Sequence, residues 1–360
     1  MAQTIGYRVL DRVVQNRDSV DHSYCVGRGK LEDIAEIVKE KKIGTVIFTN
    51  TLPSSQIFKI QRRLGNDVKV IDRNLLILEL FERRAMTKEA KLQIQLARLR
   101  YTFSWGREFL KLQGILGEQV GWSGPGDYPF KEYEKSARKR ISKIKRTLDD
   151  LRLKKDLLRS RRHELGYPIV ALSGYTQSGK TTFFNNAASE SKNVGIGPFT
   201  TLSTCARKVT VRSFRRDIEF ILVDSIGFIE DMHPIIIDAF DSTLNEIANA
   251  DLMLIFFDIT DELATLERKI VCTNEILRRI DAPQSAIICA NKVDVVGSEQ
   301  MERAISCLKN HFIGLDLVQI SAKTGWNVPE LMKCVASRLR AIESTEEQPI
   351  PKETSTPILG

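Results

Sequence analysis

Gly174, Gly179, Lys180 and Thr181 stand in the spacing G-x-x-x-x-G-K-T, directly after the apolar run Ile169 to Leu172. A polyphosphate presents several negative charges on a curved surface. Glycines let a loop wrap that surface with backbone N–H groups, and a helix starting at the end of the loop adds its positive pole. In such a loop the Lys180 ammonium reaches the outer phosphates as a point charge, and the Thr181 hydroxyl is a ligand for the Mg²⁺ that nucleotides carry. Tyr175, Thr176, Gln177, Ser178 and Thr182 complete the nucleotide-binding candidates of this stretch.

A nucleoside triphosphate site needs further pieces, and they follow in order. Asp224-Ser225-Ile226-Gly227 fits D-x-x-G, with a carboxylate for the magnesium shell and a glycine N–H for the γ-phosphate. Asn291-Lys292-Val293-Asp294 fits N-K-x-D. An aspartate there accepts from the N1–H and N2–H₂ donors of guanine, which adenine cannot offer, so GTP is favoured over ATP. Ser321-Ala322-Lys323 supplies a loop to close over the base. Between the phosphate loop and Asp224, a threonine should give a hydroxyl to Mg²⁺ and an N–H to the γ-phosphate. Thr201 is the choice, with Thr200 or Thr204 as the fallback, and Phe199 beside them. The candidate catalytic residues are therefore Lys180, Thr201 and Gly227, and the candidate metal ligands Thr181, Thr201 and Asp224. After D-x-x-G, Ras-type enzymes place a glutamine that orients the attacking water. Phe228 stands there, so slow intrinsic hydrolysis is expected, with the missing group supplied from elsewhere.

The elements around these motifs read as α/β. Ile218 to Asp224, Leu252 to Asp258, Ala286 to Ala290 and Leu315 to Ile320 are strand candidates separated by helical stretches, with Ala206 to Phe214 as a further strand. This alternation predicts a Ras-like P-loop GTPase domain with a mostly parallel sheet over residues 166–342. Residues 1–84 form a separate α/β subdomain, with strands expected at Gly6 to Leu10, Gly44 to Phe48 and Val68 to Asp72 and a helix over Lys30 to Lys42. Gly27-Arg28-Gly29-Lys30 reads as a turn before that helix more readily than as a second phosphate site. Residues 85–165 form a long antiparallel helical hairpin, with one stripe at Leu92, Leu96, Leu99 and Phe103 and another at Ala137, Ile141, Ile144, Leu148, Leu151 and Leu158. Its glycine-rich connection, residues 114–130, is either a probe for a crevice in a large partner or a flexible linker. Residues 343–360 have the composition of a disordered tail.

Composition narrows the class. The chain has 360 residues and a formal net charge of +8, and residues 131–162 hold fourteen Lys/Arg against five Asp/Glu. The basicity is thus local, and a stripe of that density is the footprint of a polyanion, with a phosphate backbone the leading candidate. Arg138, Lys139, Arg140, Lys143, Lys145 and Arg146 are the RNA-binding candidates. Six scattered cysteines and four histidines suggest neither a disulfide framework nor a zinc site. With no membrane-length apolar stretch and no secretory signal, a cytoplasmic monomer is expected.

The motifs together resemble the HflX family of translation-factor-related GTPases. Gly174 to Thr181, Pro198-Phe199-Thr200-Thr201-Leu202, Asp224 to Ile229, Ala239-Phe240 and Asn291 to Asp294 carry the resemblance in the GTPase part. Gly27 to Lys30, Leu76-Ile77-Leu78, Arg83-Arg84-Ala85, Glu89 to Gln93 and Gly124-Pro125-Gly126 carry it towards the amino terminus, so it spans roughly residues 5–340. The resemblance implies a GTPase, with GTP and GDP as ligands, that binds the large ribosomal subunit through ribosomal RNA and splits or rescues ribosomes. It implies hydrolysis stimulated by the ribosome, in keeping with Phe228. The family usually has Asn where Gln177 stands. In related GTPases that Asn helps coordinate potassium, so the resemblance leaves potassium dependence open. Asp127-Tyr128-Pro129 replaces a polar stretch of the family's hairpin loop. Two other readings stay open at this level: a GTP-dependent adaptor with negligible turnover, and a GTPase serving another RNA or a protein.

Overall fold

The computed structural model of the chain describes residues 1–65, 67–85, 87–116, 127–164, 167–187, 205–212, 217–229 and 234–346. They fall into two units. The first holds residues 1–160 and 234–243, and the second holds the other described residues. Among the described residues, no helix is long and apolar enough to cross a membrane.

In the first unit, α1 (Arg28–Glu40), β1 (Thr45–Ile47), α2 (Ser54–Leu64), β2 (Lys69–Ile71) and α3 (Arg73–Arg84) follow the expected α/β alternation. The two strands pair in parallel with Thr45 opposite Lys69 and Ile47 opposite Ile71. Leu31, Ile34 and Val38 of α1 and Ile57, Ile60 and Leu64 of α2 bury their apolar stripes around Val70 and Phe48. α2 stops at Gly65, whose φ of 111° is a conformation open to glycine at little cost. The expected strand Gly6 to Leu10 does not form: residues 7–17 carry no strand pairing.

Asp72 starts α3. Its buried carboxylate accepts the N–H of Leu75 at 2.9 Å, which caps the helix, the N–H of Leu52 at 3.3 Å, and the hydroxyl of Tyr101. Desolvation raises the Asp72 carboxyl above its ordinary value, and burial beside that carboxylate pushes the Tyr101 phenol up as well.

Tyr101 lies on α4 (Lys88–Leu116), and α5 (Asp127–Glu164) is the second long helix. Residues 117–126, most of the glycine-rich connection, are outside the described residues. Leu96 of the expected α4 stripe is buried and Leu92, Leu99 and Phe103 are half-buried, while Ala90, Ile94, Ala97 and Tyr101 are buried as well. A search for large apolar residues passes over the two alanines. On α5, Ala137 and Ile144 are buried as expected, while Leu153 and Leu157 are exposed.

The second unit is built on a six-stranded sheet. It comprises β3 (Ile169–Gly174), β4 (Cys205–Val211), β5 (Ile218–Asp224), β6 (Leu252–Asp258), β7 (Ala286–Asn291) and β8 (Asp316–Ile320), in the order β4-β5-β3-β6-β7-β8. Every pairing is parallel except that of the edge strand β4 with β5. Val170, Leu172, Leu222, Leu254, Phe256 and Ile287 face one side, against Phe183 and Phe184 of α6 (Lys180–Ala187). The polar residues Asp224, Asp258 and Asn291 end three strands of the sheet at its carboxyl edge, where ligands bind in such folds.

After β5 the chain contributes α7 (Pro234–Ala239) to the first unit, where it packs on α4. Phe240 meets Phe81 of α3 edge to face, with ring centroids 4.5 Å apart. The chain continues as α8 (Asp241–Ala248), and after β6 as α9 (Leu263–Arg279), α10 (Ser298–His311) and α11 (Val328–Glu346). α11 carries regular structure into the stretch expected to be a disordered tail, and residues 347–360 are outside the described residues.

Candidate nucleotide site

β3 delivers the loop. Gly174 has φ 126°, and a Cβ there would lie 2.4 Å from the Phe256 carbonyl oxygen on β6, so only glycine fits. Gly179 has φ 98°, and its Cβ would meet the Asn291 side-chain nitrogen at 2.1 Å. Both signature glycines are thus required by the backbone itself. Gln177 also adopts a left-handed φ of 66°, with its side chain exposed.

The Lys180 ammonium is buried and donates to the carbonyl oxygens of Gly174 at 2.9 Å and Tyr175 at 2.6 Å. Burial pushes it down to about 8, against the opposing pull of Asp224. Thr181 follows at the start of α6, and its hydroxyl donates to Asp224 Oδ2 at 3.1 Å. The fold therefore brings together two predicted metal ligands from distant parts of the chain. A hydroxyl and a carboxylate are hard oxygen donors of the kind Mg²⁺ takes, one or two from the protein and the rest from phosphate and water. Among the described residues no group of three His, Cys, Asp or Glu side chains could hold a metal. Phe199, Thr200 and Thr201, with the fallback Thr204, lie outside the described residues.

Gly227 lies against the phosphate loop. A Cβ on it would be 2.7 Å from Thr176 Cα. The next residue fastens the two segments: Phe228 donates its N–H to the Gly174 carbonyl at 3.0 Å and accepts the Thr176 N–H at 2.9 Å. The Phe228 side chain is fully buried and offers no polar group. On the far side, Tyr175 has Lys269 of α9 over its ring at 5.5 Å, and Lys269 is paired with Asp261 at 2.5 Å.

The N-K-x-D segment shows a division of labour that the motif alone does not reveal. The Asn291 amide is buried, donates to the Ser178 carbonyl at 2.7 Å and accepts the Ala322 N–H at 2.8 Å. It ties the phosphate loop to the 321–323 loop. Asp294 is exposed, in a single helical turn at Val293–Val295. Lys292 has a left-handed φ of 72° and is ion-paired with Asp258. Ser321 is buried and takes the Thr324 N–H on its hydroxyl at 3.1 Å, while Lys323 is exposed.

The sequence motifs point to neither Asp258 nor Asn186 as a site residue. Asn186 of α6 donates to the Ala322 carbonyl at 2.5 Å. Asp258 has a legible signal, a lone carboxylate ending an otherwise apolar strand, whereas Asn186 has none. The six basic candidates Arg138, Lys139, Arg140, Lys143, Lys145 and Arg146 are all exposed on α5, on the turns around the buried Ala137 and Ile144.

Three stretches of the chain match models of known protein families. Residues 1–82 match the family model described as GTP-binding GTPase N-terminal, residues 84–162 the GTP-binding GTPase middle region, and residues 169–292 the 50S ribosome-binding GTPase. A protein called GTPase HflX from Thermococcus kodakarensis is 37% identical over 339 residues, which is 92% of this chain and 74% of that protein. The GTPase HflX of Methanocaldococcus jannaschii is 35% identical, covering 96% of this chain and 83% of its own. That of Escherichia coli is 30% identical, covering 94% and 77%. Among solved structures, a complex of SsGBP with GDP superposes with a TM-score of 0.50 at 24% identity, covering 96% of this chain and 94% of the other, a likeness of fold.

Proposed function

The chain belongs to the HflX family of GTPases, and from that premise we propose that it binds the large ribosomal subunit under the control of GTP and acts in splitting or rescuing ribosomes. It binds GTP and hydrolyses it to GDP and phosphate. The observation that carries the ribosomal reading is the exposed basic face of α5, with Arg138, Lys139, Arg140, Lys143, Lys145 and Arg146 offered to a phosphate backbone. The match of residues 169–292 to a 50S ribosome-binding GTPase supports the same reading. On this proposal, residues 1–84, 85–165 and 166–342 act as separate functional segments, with 343–360 as a tail.

In the nucleotide site, the phosphate loop from Gly174 to Thr182 wraps the phosphates with its N–H groups. Lys180 exchanges its two carbonyl acceptors for β- and γ-phosphate oxygens, which restores its full charge. Thr181 and Asp224, with Thr201, would hold Mg²⁺, which supplies charge neutralisation across the β- and γ-phosphates. Asp294 reads the guanine edge, and Asn291 positions the loops on either side of the base rather than selecting it directly. Gly227 senses the γ-phosphate through its N–H. Phe228 cannot orient water, so intrinsic turnover is slow and the ribosome completes the site.

The test is sedimentation with large ribosomal subunits in the presence of a non-hydrolysable GTP analogue. Co-sedimentation at low salt, lost with GDP, is expected. A protein that never enters the large-subunit fraction does not have this function. Phosphate release with and without ribosomes then separates the enzyme from an adaptor, because an adaptor stays at background in both.

A further inference from the structure

Residues 7–17 run without helix, turn or bend. Tyr7 donates its hydroxyl to Glu79 at 2.9 Å, Asp11 pairs with Lys41 at 2.5 Å, and Gln15 accepts the Gly27 N–H at 2.8 Å. These anchors fall at every fourth residue. In a pleated strand such residues share one face, and the even-numbered side chains take the other. Lys41 and Gly27 flank α1, whose 13 residues span about 20 Å. An extended chain between Asp11 and Gln15, at about 3.4 Å per residue and lengthened by two long side chains, bridges that distance.

Among the described residues this extended segment pairs with no strand. No backbone N–H or C=O of residues 8–14 has a backbone hydrogen bond among the described residues. Val9, Leu10, Val13 and Val14 are 50%, 46%, 38% and 69% exposed. The guanidinium groups of Arg8 and Arg12 have no hydrogen bond or ion pair among the described residues. Native proteins blunt such edges with charges, proline, a bulge or a covering element, and among the described residues this one carries only the charges of Arg8, Asp11 and Arg12.

We propose that residues 8–14 take up an extended acidic segment of another protein as an added strand. The main chain supplies the ladder, with the Arg12 N–H first leaving the exposed Asp11 carboxylate it donates to at 2.7 Å, and the alternating side chains supply the selectivity. On the even face Arg8, Leu10, Arg12 and Val14 ask for carboxylate, apolar, carboxylate, apolar at every second position of the incoming strand. A second copy of this chain fits poorly. Two-fold antiparallel registers centred on Leu10, Asp11 or Arg12 set Arg8 against Arg12, Asp11 against itself or Arg12 against itself. A nucleic acid would engage the two arginines but has no use for four aliphatic side chains or a row of amides.

The probe is a labelled synthetic peptide alternating threonine with Glu, Val, Glu, Val, titrated by anisotropy against the full chain at low salt. Binding is expected, with a loss of roughly tenfold or more in Arg8→Glu/Arg12→Glu and recovery when the peptide carries lysine for glutamate. Val9→Pro and Leu10→Pro delete N–H groups on opposite edges of the strand. One of them should abolish binding while the other leaves it, and unchanged melting of both checks the fold. Absence of binding, equal binding by the charge-reversed variant, or equal effects of the two prolines overturns the proposal. So does preferential binding of single-stranded RNA to the same residues, or a concentration-dependent dimer that Leu10→Lys dissolves.

Discussion

Asp294 is where one atom decides the ligand. Asp294→Asn replaces one of two acceptor oxygens by a donor, so guanine keeps the bond from N1–H but loses the one from N2–H₂ and meets a donor there instead, while xanthine, with a carbonyl at that carbon, gains one. GTP affinity should fall about a hundredfold or more, and a competition titration between GTP and xanthosine triphosphate measures the exchange. Gly227→Ala tests the contact of the nucleotide-sensing segment with the phosphate loop, since its Cβ would lie 2.7 Å from Thr176 Cα. GDP should still bind, and the difference between GDP and GTP complexes in large-subunit sedimentation should vanish. Asp72 gives a prediction in pH. Its carboxyl is raised by burial above 3.8, so the folded chain keeps the proton where the unfolded chain has released it. The stability this confers is present below that ordinary value and is lost as pH rises through the raised one. Urea midpoints from pH 4 upward should therefore fall more steeply in the parent than in Asp72→Asn. Asp72→Ala, which orphans the Leu75 and Leu52 amides and the Tyr101 hydroxyl, should cost about 2–3 kcal/mol at neutral pH.

Among elements, those with a strong local period were legible and those decided by packing were not. The strand β6 begins at Leu252 and carries its apolar run to Asp258, because a strand buried on both faces has no other way to be written, and β5 follows the same limits although Glu219 interrupts it. On α4 the stripe was legible at Leu96 but not at Ala90 and Ala97, whose burial depends on the neighbouring elements and not on their own size. Gly6 to Leu10 has strand chemistry but no strand opposite it among the described residues, and pairing cannot be read from one segment. The site was legible wherever a motif fixes a backbone shape, as at Gly174 and Gly179, and illegible at Asn186, whose partner is an ordinary carbonyl 136 positions away. The basic face of α5 belongs to this scale too. Replacing Arg138, Lys139, Arg140, Lys143, Lys145 and Arg146 by glutamine should lower the slope of log affinity against log salt by roughly 0.7–0.9 for each phosphate that is no longer neutralised. An unchanged slope in subunit binding removes α5 from the interface.

At the scale of the whole molecule, nucleotide and metal should act on stability together. Mg²⁺ with GDP at a hundred times the dissociation constant should stabilise the native state by about 2.7 kcal/mol. Chelation should reverse much of that gain, because Thr181 and Asp224 would lose the ion between them and the phosphates. The reading of a melting curve then depends on how the chain is divided. The chain leaves the GTPase sheet after β5, gives α7 and Phe240 to the first unit, and returns. Ile236 and Phe240 are fully buried there, against a bed formed by residues that precede the phosphate loop. No single cut therefore separates the two units. A fragment beginning at residue 161 would display two large apolar side chains that have lost their bed, and should bind a hydrophobic dye and aggregate while its sheet remains intact. Phe240→Ala in the full chain, expected to cost about 3–5 kcal/mol there, would make that same fragment more soluble. A substitution that harms the protein would repair its piece, which is how a segment folded in one place and encoded in another announces itself.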